Sequence, residues 1–353
     1  MIFLIFSLLF IYALFFKQSK IVAISSFIFA WILSINTSLG DYATYEKYYL
    51  YNYSDFRDIG YYFLSSFFQT IGLNFLQFKM VVLAAGFTIL CRFVIKYSVN
   101  CAFVSLIYLL FYSFYDIEQF RNFIAFCLVV QGLDFLLQNP LKIQSKIIYL
   151  CFVVLGGSLH VTVLFFMAFA LIDESIFLSI KNLILKMILP LILIFYIVLS
   201  NMDNVFTRIE MYGTHISAFS ESILILMYAL SIIYVWSYDW KKTIIPYEHN
   251  IITYTCNKNH FILIANFVFL LTLPLAVQNL NYLRLFKYMS LLNLIFISNK
   301  NIYPSKTCTV ALQDAILFIY GGCILGMYYF MHPSFLPKVI QPILFDNLIL
   351  KGW

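Results

Sequence analysis

The sequence predicts an all-α fold, a polytopic transmembrane bundle of about twelve helices. Apolar runs recur along the whole chain, charged residues are rare, and lysine and arginine concentrate in alternate loops. Of the 353 residues, 63% are hydrophobic and 11% are charged, whereas about a quarter of the residues of a soluble domain are charged. We therefore expect residues 1–353 to form a single integral membrane domain.

The apolar runs define the expected helices one by one. A spanning helix needs about 20 apolar residues, or fewer where the bilayer thins around it. The predicted spans are residues 1–16, 21–39, 78–95, 101–115, 120–138, 145–157, 159–172, 183–199, 223–237, 261–277, 280–298 and 311–331. The first run lacks a preceding basic residue and a following cleavage site, which favours a retained span over a signal peptide. Span 145–157 meets the next at Gly156 and Gly157, where we expect either a tight turn or a broken helix.

Two longer segments, 39–77 and 200–222, separate the spans. The first is rich in tyrosine and includes "GYYFLSSFFQTIGLNFLQF", an aromatic run interrupted by Gly72 and Asn74 that predicts a helix in the membrane interface. Because basic residues are retained on the cytoplasmic side, the distribution of lysine and arginine places both segments and both termini outside. This topology accounts for the net charge of +6, so no nucleic-acid partner is expected.

Several kinds of chemistry lack their residues in this chain. The seven cysteines form no C-x-x-C pair and have no histidine at zinc spacing. The sequence contains no G-x-x-x-x-G-K-[ST] phosphate loop, no G-x-S-x-G nucleophile elbow and no H-E-x-x-H pair. We expect no metal site, no disulfide framework and no cofactor, and neither ATP-driven transport nor serine or zinc hydrolysis.

Arginines stand at the outer start of two predicted spans, Arg121 in "EQFRNFIAF" and Arg284 in "LNYLRLFKYMSLL". A charge at this depth is costly unless it is paired or faces a polar cavity, so both are candidate functional residues. Lys287 and Tyr288 follow Arg284 by three and four residues, on the same helix face. Arginine binds phosphate bidentately and lysine acts as a point charge, so Arg121, Arg284 and Lys287 form a candidate diphosphate clamp. The alternatives are that Arg121 reaches lipid headgroups or pairs with Glu118, and that Lys287 binds anionic lipids.

Two further residues are candidates for acid–base chemistry. His160, in "GGSLHVTVLFF", opens an apolar helix, where a neutral imidazole can accept a proton from a sugar hydroxyl; a structural histidine that caps the turn is the alternative. Asp41 follows the second span, and Tyr45 follows it by one helical turn. A carboxylate beside aromatic faces is a common way to hold sugar rings, so Tyr45, like Tyr288, is a candidate glycan contact. The interfacial aromatic belt is the ordinary alternative for such tyrosines.

The order of these motifs resembles a known family. "GDYATY", "GYYFLSSFFQTIG", "IKYSVN", "FRNFIAF", "GGSLHVTVLFF" and "LRLFKY" together resemble the EpsG family of Wzy-type polysaccharide polymerases, over about residues 36–298. The family pattern has Arg-Gln where this chain has Arg121 and Asn122, and Thr162 supplies the hydroxyl of the histidine motif. The positions that carry over from the resemblance are Asp41, Arg121, His160 and Arg284.

The resemblance implies a polymerase with a GT-C-like lipid-linked glycosyltransferase architecture. Such an enzyme joins oligosaccharide repeat units linked to undecaprenyl diphosphate into an O-antigen, capsule or exopolysaccharide chain, at the outer leaflet of the bacterial cytoplasmic membrane. Its expected partners are that lipid-linked oligosaccharide, membrane lipid and a chain-length regulator protein. Arg121 and Arg284 would stabilise the departing diphosphate, and His160 or Asp41 would accept the hydroxyl proton. An O-antigen-type ligase would use the same residues, whereas a flippase or transporter of lipid-linked oligosaccharide would show two related halves.

Overall fold

The structure, a computed structural model, describes eleven parts of the chain: residues 2–39, 41–51, 59–140, 142–172, 261–262, 264–266, 268–269, 283–298, 315–323, 326 and 335–349. Within these residues the regular elements are all helices, and none is a strand. The all-α prediction is confirmed for this part of the chain. The predicted spans 183–199 and 223–237 and the outer segment 200–222 lie outside the described residues, as do parts of 261–277 and 311–331.

Eleven numbered α-helices can be given bounds within the described residues. In chain order they are α1 (Ile2–Phe15), α2 (Lys20–Leu33), α3 (Tyr42–Leu50), α4 (Ile59–Thr70), α5 (Phe75–Tyr97), α6 (Cys101–Ile107), α7 (Ser113–Glu118), α8 (Phe120–Gln138), α9 (Ile143–Leu159), α10 (Leu283–Ile297) and α11 (Gln341–Phe345). A π-helical turn, Tyr108–Tyr112, joins α6 to α7, and a second one, Leu336–Ile340, precedes α11. A 3-10 helix, Val161–Leu171, follows α9.

Among the described residues, three helical stretches are long and apolar enough to cross a membrane: Phe75–Tyr97, Cys101–Glu118 and Phe120–Gln138. The first and third correspond to predicted spans 78–95 and 120–138, and the second extends the predicted span 101–115 by three residues. Shorter apolar helices occupy the first two predicted spans and the stretch after residue 142. The chain is therefore a helical membrane protein, and the count of about twelve spans stays a prediction.

The paired glycines at 156 and 157 do not form the expected turn or break. Helix α9 runs through both of them and ends at Leu159. A Cβ atom on Gly156 would lie 2.7 Å from the carbonyl oxygen of Ala125 in α8, so the glycine permits the close approach of two helix backbones. The helix ends at Leu159, two residues after the end of the predicted span 145–157.

The aromatic segment predicted as one interfacial helix contains a helix, a turn and the start of a span. Helix α4 ends at Thr70, and Gly72 has a φ of +86°, a backbone conformation that only glycine adopts readily. The Asn74 side chain then accepts the backbone N–H of Gln77, and the Gln77 side chain accepts the N–H of Asn74. This capping box begins α5 at residue 75.

The described chain divides into two compact units. The first comprises residues 1–139, 143–166 and 298–353, and the second comprises 140–142 and 167–297. In the first unit α8 packs against α5 and α9, and α2 packs against α5 and α6. The single membrane domain expected over residues 1–353 stays a prediction.

A buried polar pair stabilises the described part of the second unit. The side-chain amides of Asn266 and Asn293 donate to each other's carbonyl oxygens at 2.7 and 2.8 Å. Both residues are buried among apolar side chains, at 4% and 1% exposure. Each amide therefore satisfies hydrogen-bonding groups of the other that lipid or apolar packing would leave unpaired.

One charged cluster lies where α5 and α8 end together. Asp134 accepts a hydrogen bond from Lys96 Nζ at 2.5 Å and another from the Tyr97 hydroxyl at 2.6 Å. The Arg92 guanidinium lies 3.7 Å from the same carboxylate. Lysine and arginine thus meet at the helix ends that the charge distribution assigned to the cytoplasmic side, and Asp134 neutralises part of their charge.

Candidate functional site

A break between two helices places charged side chains inside the first unit. Helix α7 ends at Glu118 and α8 begins at Phe120, while Gln119 between them has φ −101° and ψ 49°, outside the helical region. Glu118 and Arg121 flank this break, and each is only 9% exposed. Buried charges are rare in membrane helices and mark substrate or ion sites, which makes this break the centre of the candidate site.

The Arg121 guanidinium lies against two tyrosine rings. Its central carbon is 4.4 Å from the ring centre of Tyr61 in α4 and 5.6 Å from that of Tyr45 in α3. At these distances the ring faces attract the cation. Stacking uses the faces of a guanidinium, whereas bidentate phosphate binding uses its N–H edge, so one arginine can do both.

An aromatic cluster holds the two tyrosines in place. Both rings pack edge-on against Phe120, with centroid distances of 5.0 Å for Tyr45 and 6.1 Å for Tyr61. Helix α4 approaches the end of α9 closely at Gly60, where a Cβ atom would overlap the side chain of Ser158. The small residue next to Tyr61 thus allows α4 to bring that ring over Arg121. The sequence prediction of Tyr45 as a site residue is compatible with this position, while Tyr61 was missed.

Glu118 connects the break to the start of α3. Its Oε1 accepts the backbone N–H of Asp41 at 3.0 Å. Lys79 of α5 is 2% exposed, and its charge interacts with that of Glu118. The Lys79 ammonium also donates to the carbonyl oxygen of Asn36 at 3.5 Å and lies 5.5 Å from the ring centre of Tyr42.

Sequence reasoning did not assign a role to Lys79, and it treated Glu118 only as a partner of Arg121. A detectable signal was present, because Lys79 interrupts the otherwise apolar run "FLQFKMVVLAAGFTIL". By the rule that singled out Arg121, an intramembrane lysine is itself a functional candidate. The position of Glu118 next to a helix break gave no such signal, since helix breaks of this kind depend on tertiary packing.

His160 belongs to a hydrogen-bonded chain that reaches the first turn of α8. The Thr162 hydroxyl donates to Oδ1 of Asn122 at 3.1 Å, and Thr162 Oγ1 lies 2.8 Å from Nδ1 of His160. A hydroxyl has one proton, so with this proton given to Asn122 the imidazole Nδ1 must be the donor to Thr162. In the neutral ring Nε2 then carries the lone pair and can accept a proton. Asn122 thus connects this hydrogen-bonded series to α8 through Thr162.

Asp41 precedes α3 with its side chain exposed and makes no side-chain cap bond. The adjoining Tyr42 is buried against Phe75, with the rings 4.9 Å apart at their centres. Burial, with a smaller contribution from the nearby Glu46 carboxylate, raises the pKa of Tyr42 to about 12. Tyr42 is therefore a neutral phenol throughout the physiological range, while the exposed Asp41 carboxylate faces solvent.

The second unit contains the other three predicted site residues, all in α10. Lys287 is fully buried, and its ammonium lies 4.3 Å from the ring centre of the equally buried Tyr288. Arg284 is partly exposed. The structure thus groups Asp41, Tyr45, Arg121 and His160 in the first unit and Arg284, Lys287 and Tyr288 in the second. The burial of Lys287 disfavours the simple alternative that it contacts lipid headgroups.

In the described part of the chain, no three His, Cys, Asp or Glu side chains are grouped closely enough to hold a metal ion. Comparison with known proteins gives one result that bears on function. The family model described as EpsG family matches residues 19–337, nearly the whole chain. No curated protein and no solved structure matches this chain.

Proposed function

Because this chain belongs to the EpsG family, which is associated with Wzy-type polysaccharide polymerases, we propose that it is a polymerase of lipid-linked oligosaccharides. The reaction would join repeat units carried on undecaprenyl diphosphate into an O-antigen, capsule or exopolysaccharide chain. It would take place at the outer leaflet of the bacterial cytoplasmic membrane, in a multi-pass bundle of about twelve spans with GT-C-like architecture. A chain-length regulator protein is the further partner that we propose.

The observation that carries this proposal is Arg121, a buried arginine at the start of a membrane helix with tyrosine rings against it. When the growing glycan leaves its carrier, negative charge accumulates on the departing diphosphate. A fixed cation in a site of low dielectric constant stabilises that charge in the transition state, commonly the largest single contribution to catalysis. The rings hold the guanidinium before substrate arrives, so little reorganisation is needed during the reaction.

Glycan and proton-transfer roles fit the side chains around Arg121. Tyrosine packs its ring face against sugars and donates a hydrogen bond from its hydroxyl, which supports the half-buried Tyr45 as a glycan contact. His160 with its lone pair on Nε2 and the exposed carboxylate of Asp41 are the proton acceptors expected from the sequence. We propose Arg284 and Lys287 as further diphosphate ligands, and Tyr288 as a further glycan contact, on the chemistry of their side chains.

The proposal is tested by glycan chain length in cells from which the gene is deleted and then restored. The restored protein is wild type, Arg121→Ala or Arg92→Ala, at equal membrane abundance, and surface glycan is resolved on a gel. Arg92 is the matched control because its side chain is 66% exposed and lies outside the candidate site. If the protein is a polymerase, cells with wild type or Arg92→Ala should carry long glycan chains. Cells with Arg121→Ala, or without the protein, should carry only single repeats on their surface.

Two results would contradict the proposal in different ways. Accumulation of single repeats inside the deleted cells would indicate a flippase, because their delivery to the outer face would then be what is lost. Full rescue by Arg121→Ala would show that this arginine is an ordinary membrane-interface residue, even if the protein is a polymerase.

A further inference from the structure

The helix break contains polar atoms that the protein itself does not satisfy. Among the described residues, Oε2 of Glu118, Oε1 of Gln119 and Nδ2 of Asn122 are buried and have no hydrogen-bond partner. Leaving such atoms unpaired is costly, and native proteins leave few of them. Three such atoms within five residues, beside a buried arginine, indicate a place where a polar ligand completes the hydrogen bonding.

Helix α3 and the residue before it contact both the Glu118 carboxylate and the Arg121 guanidinium. The backbone N–H of Asp41 contacts Glu118, and the ring of Tyr45 contacts Arg121. Tyr45 N–H donates to the Asp41 carbonyl oxygen at 3.0 Å, so these two residues are one helical turn apart. The first turn of α3 therefore contacts Glu118 through Asp41 and Arg121 through Tyr45.

Resting on the function proposed above, we propose that Glu118 is the catalytic base that takes the proton from the acceptor hydroxyl. In this step the hydroxyl O–H bond breaks and its proton moves to Oε2 of Glu118. The oxygen electron pair forms the new bond to the anomeric carbon of the donor glycan. The bond from that carbon to the diphosphate breaks, and its electron pair leaves with the diphosphate, which Arg121 binds.

Burial distinguishes Glu118 from the two acceptors that the sequence predicted. Asp41 has an exposed carboxylate, which water stabilises in its charged form, whereas a buried carboxylate loses an unfavourable charge when it takes up a proton. Two charges act on Glu118 in opposite directions, the Asp41 carboxylate opposing its negative charge and the Lys79 ammonium favouring it. His160 Nδ1 contacts Thr162, which supports a role for His160 in orienting Asn122 at the break.

The test uses the purified full-length protein in liposomes supplied with lipid-linked repeat units. Glu118→Gln keeps an oxygen that can accept the Asp41 N–H and removes the basic carboxylate, and Glu118→Asp keeps a carboxylate one methylene shorter. Glu46→Gln is the matched control, because Glu46 lies in α3 outside the break. Polymerisation rate is measured together with binding of undecaprenyl diphosphate alone.

We expect Glu118→Gln to bind undecaprenyl diphosphate within about twofold of wild type and to polymerise at least about 100-fold more slowly, the usual effect of removing a general base. Glu118→Asp should recover part of the rate, and Glu46→Gln should match wild type. Polymerisation by Glu118→Gln at the wild-type rate would overturn the inference, as would equal loss of binding and rate. If Glu118→Gln does not fold, a rate of Glu118→Asp equal to that of a Glu118→Ala variant overturns it instead. No chains from the wild-type protein would refute the proposed function itself.

Discussion

Replacing Tyr61 by leucine removes the ring that lies closest to the Arg121 guanidinium. A cation–π contact is worth about 0.5–1 kcal/mol at exposed sites and about 2 kcal/mol when desolvated. Tyr61 is 4% exposed and Arg121 is 9% exposed, so the higher value applies. If the ring holds Arg121 in position for the departing diphosphate, a loss of about 2 kcal/mol of transition-state stabilisation slows polymerisation about 30-fold.

Matched substitutions separate this effect from a general loss of packing. Tyr61→Phe keeps the ring face and should retain most of the activity, whereas Tyr61→Leu should not. Tyr62→Leu makes the same change at the neighbouring, partly exposed position of α4 and should have little effect. The assay is the rate of chain formation in liposomes, with thermal unfolding in detergent measured in parallel, because the leucine variant also loses buried volume.

Two results would refute the positioning role of Tyr61. Equal rates for Tyr61→Leu and Tyr61→Phe would mean that stacking on Tyr61 does not position Arg121. A rate loss fully matched by a lower unfolding temperature would mean that the ring acts only in packing the aromatic cluster around Phe120.

Three further substitutions test the packing and polar contacts of the helices. Gly156→Ala should lower stability by about 1–3 kcal/mol, since the added methyl group meets a carbonyl oxygen of α8; thermal unfolding checks this against Gly326→Ala, at a position with no atom within 4 Å. Asn266→Leu should lower the free energy of unfolding by about 1 kcal/mol. Adding Asn293→Leu should cost less than the same change does alone, because the double variant leaves no amide unpaired. Additive losses in a double-mutant cycle would contradict this. Asp134→Asn should lower the unfolding temperature, because it removes charge-assisted hydrogen bonds. These are worth about 1–2 kcal/mol after allowance for the exposure of the Lys96 side chain. An unchanged unfolding temperature in low salt would show that the cluster does not contribute to stability.

The buried cations show which features of the site can be predicted from the sequence. Arg121 could be identified because a cation in an apolar run is costly unless it is paired or faces a polar cavity, and the apolar run is visible in the sequence. The same rule would have identified Lys79 from the sequence. The contacts of Arg121 could not be identified, because Tyr45 and Tyr61 reach it from helices 76 and 60 positions earlier in the chain.

The contacts of Glu118 and the helical conformation of the paired glycines could not be predicted from the sequence, for a related reason. A glutamate next to an arginine suggests a local ion pair, yet Glu118 accepts a backbone N–H from residue 41, which is 77 positions away. The two glycines suggest a turn by their conformational freedom, yet the approach of α8 selects a helix that runs through them. Local patterns record what each residue allows, and long-range packing decides between the allowed outcomes.

By itself, the sequence determined that this protein is a helical membrane protein of the EpsG family, and it predicted that Arg121 stands at the start of an apolar span. These features depend on composition, on the length of apolar runs and on the order of short motifs, all of which are properties of the chain before it folds. Only the tertiary structure decided which side chains meet at the helix break. The stacking of Arg121 on tyrosine, the link from Glu118 to α3 and the His160–Thr162–Asn122 chain each join residues from different elements. Their geometry depends on close packing of those elements, which no local pattern specifies.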